Sequence, residues 1–293
     1  MLSILPPEIL RIIFASVDDR KTFCNILVTS RQFSQLVEPF LCAEIDFSEL
    51  PLLAAAINLR SLKGLYDALE ASNWRQTAYI RTFSSNFGSP VEGRTLIEKI
   101  LTKTVNLKSL CLYSGHTSLR HFLRGHAPFT LTHFRGIFRC LGPEITRFLE
   151  SQTSLETIHI FLTEPSKAQL PVFAPTSFPN LKTLTIVPGL VLPFLRTSAN
   201  VRNLRLNECE DFPPVSKQDK ACMASVRVLS CFPLSAASSL ASQFPKLEWL
   251  EFSNGRSDIP TLMGWSQGSH TLRGILVHRS TTPFSHDFLM PSS

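Results

Sequence analysis

Phe178-Pro179-Asn180-Leu181-Lys182-Thr183-Leu184-Thr185-Ile186 is the stretch on which the fold turns. Pro179 cannot continue a helix that reaches it, so the phrase opens a new element. Leu181, Leu184 and Ile186 then set an apolar-x-x-apolar-x-apolar frame whose last residues alternate as a strand does. The frame returns at Leu107, Leu110 and Leu112; at Leu155, Ile158 and Ile160; and at Val201, Leu204 and Leu206. It recurs at Val226, Leu229 and Cys231; at Leu247, Leu250 and Phe252; and at Leu272, Ile275 and Val277. Leu131, Phe134 and Gly136 fit it more loosely, and Ile80 to Phe83 reads as a partial first copy. From Leu107 onward the copies start 24, 24, 26, 20, 25, 21 and 25 residues apart, and Phe244-Pro245-Lys246-Leu247 repeats the proline-led opening. Between copies, Leu96–Leu101, Ser118–Leu123, Ile145–Leu149 and Leu234–Phe244 read as helices. A strand and a return helix per copy, neither able to bury its apolar face alone, stack into parallel strands. The expected class is α/β.

This period and core pattern resemble the leucine-rich repeat, which implies a solenoid of parallel strands with return helices. The match is irregular. That repeat asks for Asn or Cys eight residues after the first apolar position, and only Cys209 supplies it. Gly115, Arg139, Thr163, Gly189, Leu234, Gly255 and Ser280 stand at the other such positions. Insertions at Thr163–Pro179 and Glu208–Ala224 lengthen two copies, and residues 279–293 read as a loose tail.

Upstream the pattern changes. Leu5-Pro6-Pro7-Glu8-Ile9-Leu10 is a helix start: proline suits the first turn, and Glu8 sits where the helix dipole favours negative charge. Ile9, Leu10, Ile13, Phe14 and Val17 form one apolar face. Phe23, Ile26 and Leu27 form a second, and Phe33, Leu36, Val37 and Phe40 a third. Three such faces in about 40 residues exceed what so small a unit buries internally. The Leu5-Pro6-Pro7-Glu8-Ile9 opening, Ile13-Phe14, the Val28-Thr29-Ser30-Arg31-Gln32-Phe33 segment and Phe40-Leu41 before Ala43–Phe47 together resemble an F-box. Phe33 stands where that family often has tryptophan. An F-box followed by degenerate leucine-rich repeats resembles a layout common among fungal F-box proteins.

The resemblance implies two domains, an F-box over residues 1–46 and a leucine-rich-repeat-like target-binding domain over 47–293. It implies docking on the Skp-type adaptor of a cullin–RING ubiquitin ligase through Leu5, Pro6, Pro7, Ile9, Ile13, Phe14, Val28 and Phe33. The expected role is a non-catalytic substrate receptor. The alternative is a leucine-rich-repeat binding scaffold with no part in degradation.

Composition is compatible with this. The 293 residues are 44% hydrophobic and 18% charged, enough for a large core. The longest apolar tract, Leu50–Ile57, is far shorter than the ~20 residues of a membrane span. Met1-Leu2-Ser3-Ile4-Leu5 lacks the basic flank and length of a signal peptide. Cytoplasm or nucleus is the expected location. The cysteines Cys24, Cys42, Cys111, Cys140, Cys209, Cys222 and Cys231 are scattered and odd in number, which points to reduced, mostly buried thiols. Residues 1–46 carry four basic against six acidic residues; the remainder carries 25 against 17. A basic downstream domain favours an acidic partner. No Lys/Arg run exceeds two residues, so no nucleic-acid partner is expected.

His116, His121, His126 and His133 are spaced five, five and seven apart, which does not put two imidazoles on one helical face. There is no glycine-rich phosphate loop, and no cofactor or metal is expected. What the frame offers is a surface. Residues between the apolar anchors point away from the core. Tyr113, Arg135, His159, Phe161, Arg205, Asn207, Trp249 and Glu251 are the candidate target-binding residues, with Arg205 and Trp249 as anchors.

Overall fold

The repeat phrases become strands. A computed structural model describes residues 5–17, 19–47, 55–86, 91–113, 127–164, 170–207, 212, 215–231, 243–253 and 271–278. Its strands are β1 (Glu44–Phe47), β2 (Thr82–Asn86), β3 (Ser109–Tyr113), β4 (His133–Phe138) and β5 (Thr157–Leu162), followed by β6 (Thr183–Ile186), β7 (Asn203–Leu206), β8 (Val228–Cys231), β9 (Trp249–Ser253) and β10 (Gly274–His278). The helices are α1 (Pro7–Ala15), α2 (Arg20–Leu27), α3 (Arg31–Ala43), α4 (Ala55–Ala71), α5 (Val91–Lys103), α6 (Pro143–Ser151), α7 (Val191–Leu195) and α8 (Lys217–Met223). The chain divides into two compact units, Met1–Phe138 and Arg139–Ser293. In the first, β1 to β4 pair in parallel in chain order; in the second, β5 to β10 do the same. The chain is therefore α/β, with parallel strands. Residue 46, the expected domain boundary, falls inside β1, and β1 pairs with β2.

Register follows the sequence frame. Ile45, Phe83, Leu110 and Phe134 are partners across the first unit. Ile158, Leu184, Leu204, Leu229, Leu250 and Ile275 are partners across the second. All of these but Ile275 are buried. The loose fit at Gly136 has a local cause. The Phe138 ring folds back over Gly136, where a Cβ would collide with it, and stacks on Phe134 at 6.2 Å. One phenylalanine thus fills two inward positions of β4.

Hydrogen bonding repeats as well. The N–H groups of Lys108 and Ser109 both donate to the Arg81 carbonyl, at 2.8 and 3.0 Å. The same doubly used carbonyl recurs at Lys108, Glu156, Lys182, Arg202, Arg227 and Glu248, each receiving the two N–H groups one repeat later. Side chains add a second device. The Nδ2 atoms of Asn106, Asn180 and Asn200 donate to the carbonyls of Ala78, Thr153 and Pro179, two residues before the preceding repeat's first apolar position. Each bond ties one turn to the last. Asn180→Ala and Asn200→Ala should each cost about 0.5–1.5 kcal/mol, the net worth of one such bond, read as a lowered urea midpoint.

The helices carry buried apolar faces of their own. α5 buries Ile97, Ile100 and Leu101, and α6 buries Ile145, Phe148 and Leu149. Phe173, Phe178 and Phe194 of α7 form an aromatic cluster with centroids 4.6–5.3 Å apart. α8 opens with a capping box in which Ser216 Oγ donates to Asp219 Oδ2 at 2.7 Å, and Arg196 reaches Asp219 Oδ1 from α7's end at 2.7 Å. The Ser216 hydroxyl first, and then Arg196, hold the Asp219 carboxyl below its ordinary value of 3.8, against the opposing effect of burial. A carboxylate lowered on folding stabilises above its unfolded pKa, and that contribution is lost as pH falls through the lowered value. Asp219→Asn should remove about 1 kcal/mol at pH 7, about 2–4 °C in Tm, and leave melting less sensitive to pH below 4.

The expected helices at Leu96–Leu101 and Ile145–Leu149 are α5 and α6. Those at Ser118–Leu123 and over most of Leu234–Phe244, with Cys209 and the tail 279–293, lie outside the described residues. α4, α7 and α8 stand where the sequence pattern marks no helix; α8 occupies part of the Glu208–Ala224 insertion.

Candidate interaction surfaces

The N-terminal helices build a small core of their own. Asp19 caps α2 by accepting from the Lys21 and Thr22 N–H groups at 3.1 and 3.0 Å, and Ser30 caps α3 through Phe33 N–H at 3.1 Å. Leu10, Phe14, Phe23, Leu36 and Val37 are buried, with Leu5, Val17, Ile26, Leu27, Phe33, Phe40 and Leu41 packed partly against them. Phe14 meets Phe33 edge to face at 6.3 Å, and Phe23 stacks on Phe40 at 5.8 Å. Glu38 of α3 accepts from Arg75 at 3.1 Å and Gln76 at 2.5 Å, fastening α3 to the turn before β2.

This packing sorts the expected docking residues. Pro6 and Pro7 are exposed at the start of α1, while Leu5 and Phe33 are half-buried and Phe14 lies in the core. Ile9 and Ile13 remain 43% exposed and Val28 85%. Ile12, passed over in the sequence, is 67% exposed. The spacing 9, 12, 13 puts three isoleucines on one side of α1, next to the Leu10–Phe14 stripe that faces the core. Its signal was the i, i+3, i+4 pattern, hidden because isoleucines and core residues merge into one wide apolar arc. Three adjacent exposed isoleucines on a nine-residue helix are an unusual surface for a chain that could bury them.

The strand faces form the second candidate. In the first unit, Tyr113 and Arg135 come together: the guanidinium lies 5.6 Å from the phenol centroid. Burial first, and then the hydrogen bond with Cys111, push the Tyr113 hydroxyl up to about 12. Burial likewise raises the Cys111 thiol, so both groups stay protonated at neutral pH and Cys111 is a poor nucleophile. In the second unit, His159, Thr185, Arg205, Ser230, Glu251 and Leu276 are register partners in one row across β5–β10. Arg205 is exposed, whereas His159 and Glu251 are half-buried, and Ser230 Oγ donates to Glu251 at 2.7 Å. Thr157, Thr183, Asn203, Val228, Trp249 and Gly274 form the neighbouring row, with Trp249 45% exposed. Phe161 is half-buried on β5, and Asn207 donates to the Ile160 carbonyl at 3.3 Å, which fixes its side chain.

Among the described residues no group of three or more His, Cys, Asp or Glu is placed to hold a metal ion. Among them, too, no helix is long and apolar enough to cross a membrane. His133 is exposed on β4, its Nδ1 2.8 Å from Thr132 Oγ1; His116, His121 and His126 lie outside the described residues. No protein-family model matches the chain, and no curated protein does.

Proposed function

We propose that the chain is a substrate receptor of a Skp–cullin–F-box ubiquitin ligase. Residues 1–46 act as the F-box, and the strands belong to a degenerate leucine-rich-repeat solenoid. The observation that carries this reading is the exposed Ile9–Ile12–Ile13 stripe, placed directly after Pro6-Pro7 on a helical cluster that already has its own core. An apolar stripe left outside a completed core is suited to another protein's groove. The recurring doubly used carbonyls and the register-aligned rows support the solenoid half. The exposed row residues, Arg205 and Trp249 foremost, hold the target. Such a receptor breaks no bond itself; it raises the local concentration of target beside a ubiquitin-charged enzyme.

Affinity purification of the tagged chain from cells tests the reading. Recovery of a Skp-type adaptor together with a cullin is the expected result, and recovery of neither contradicts it. Co-purifying partners whose half-lives do not change when the chain is removed would favour the scaffold reading.

A further inference from the structure

An open groove of about 600 Å³ lies where β7, β8 and β9 begin, lined by Asn200, Arg202, Asn203, Arg227, Glu248 and Trp249 among others. It sits on the row of residues one place after each repeat's first apolar position, which in the second unit reads Glu156, Lys182, Arg202, Arg227, Glu248, Arg273. Both carboxylates of that row are engaged. Glu156 accepts from Lys182 at 2.9 Å, and Glu248 lies between Arg227 at 3.6 Å and Arg273 at 3.5 Å. Arg202 is exposed in the groove and makes no ion pair among the described residues. In the same groove, the Trp249 indole lies across Gly274, where any Cβ would collide with the ring. The missing side chain at 274 lets the indole lie over β10 and still be 45% exposed. A cation with no ion pair among the described residues therefore lines the same groove as an exposed aromatic ring, in a row of four cations and two anions.

We propose that this groove binds an acidic peptide segment, placing an Asp or Glu side chain on Arg202 and a neighbouring apolar side chain on Trp249. Charge complementarity selects the occupant. Carboxylate matches the surplus positive charge, and an apolar neighbour gains from covering the indole. The inference deepens the target-binding half of the proposed function, since it names the kind of segment held and where it is held. It does not depend on adaptor docking.

The test is fluorescence anisotropy of the full chain with a fluorescein-labelled dodecapeptide of three Glu-Phe-Asp-Gly repeats. Saturable binding is expected, weakening as NaCl rises and weaker by about tenfold for the isosteric Gln-Phe-Asn-Gly peptide. Arg202→Glu and the milder Arg202→Gln should each weaken the acidic peptide, the first by about tenfold or more, as should Trp249→Ala. Lys63→Glu, a charge change on α4, should not. Circular dichroism confirms that each variant is folded. No saturable binding, equal binding of the neutral peptide, or unchanged affinity in both Arg202 variants overturns the inference. So does binding of a dT12 oligonucleotide that outcompetes the peptide, which would make the groove a nucleic-acid face. The titration contains no adaptor, so its failure leaves adaptor docking standing, and failure of docking leaves the groove standing.

Discussion

Ile13→Asp is expected to lower affinity for a Skp-type adaptor by about two to three orders of magnitude while leaving the fold intact. The size follows from two terms. Burying an isoleucine side chain is worth about 1.5–3 kcal/mol, and seating an unpaired polar group in an apolar groove costs about 1–3 kcal/mol more. Their sum, about 2.5–6 kcal/mol, brackets that loss at about 1.4 kcal/mol per decade. Stability should not move, because Ile13 is 43% exposed and lies outside the Leu10–Phe14–Val37 core. Ile9→Asp and Ile12→Asp should behave alike. Phe14→Ala differs in kind: it removes a buried ring that packs on Phe33, so it should lower Tm as well as binding. Isothermal titration calorimetry with the purified adaptor, paired with thermal melts, separates the two classes. Wild-type affinity in all three isoleucine variants would remove α1 from the docking surface.

The second large effect concerns the fold. Phe194→Ala should destabilise the chain by about 3–5 kcal/mol. Phe194 is fully buried and contacts both Phe173 and Phe178, with centroids at 4.6 and 5.3 Å. Phe178 opens the repeat phrase that ends in β6, so the cavity would lie where a return segment, a helix and a strand start meet. Phe194→Leu keeps most of the volume and should recover part of the loss. A chemical-denaturation midpoint unchanged by Phe194→Ala would show that the aromatic cluster does not hold the unit together.

Much of the fold was legible because each repeat states it independently. Leu107, Leu110 and Leu112 alternate in the way that Leu181, Leu184 and Ile186 do, and both triplets are buried. α4 was illegible for a physical reason: its helix carries a weakly segregated apolar pattern, in which Leu62 and Leu69 are buried but Leu65 and Tyr66 only half-buried. The repeat signature places its asparagine after each strand, whereas the asparagines that bond between turns here, Asn106, Asn180 and Asn200, stand before it. These fall at the same place in three repeats, so position within the repeat, not the familiar signature, was the usable signal. For the candidate surfaces, sequence marked Ile9, Ile13 and Val28 but could not separate Phe14 from them. Burial depends on which helix face meets α3, and periodicity alone does not say where a wide apolar arc stops being core. Arg202 carries no sequence mark of its own: that it has no ion pair among the described residues, while Arg227 reaches Glu248, depends on which strands lie side by side.

The most direct test of the central claim is size-exclusion chromatography of the purified full-length chain mixed with a Skp-type adaptor. The account predicts a stable one-to-one complex that co-elutes and is lost with Ile9→Asp or Ile13→Asp. Separate elution of the folded wild-type chain and the folded adaptor would contradict it, and would leave α1 to α3 as a helical cap on a repeat protein.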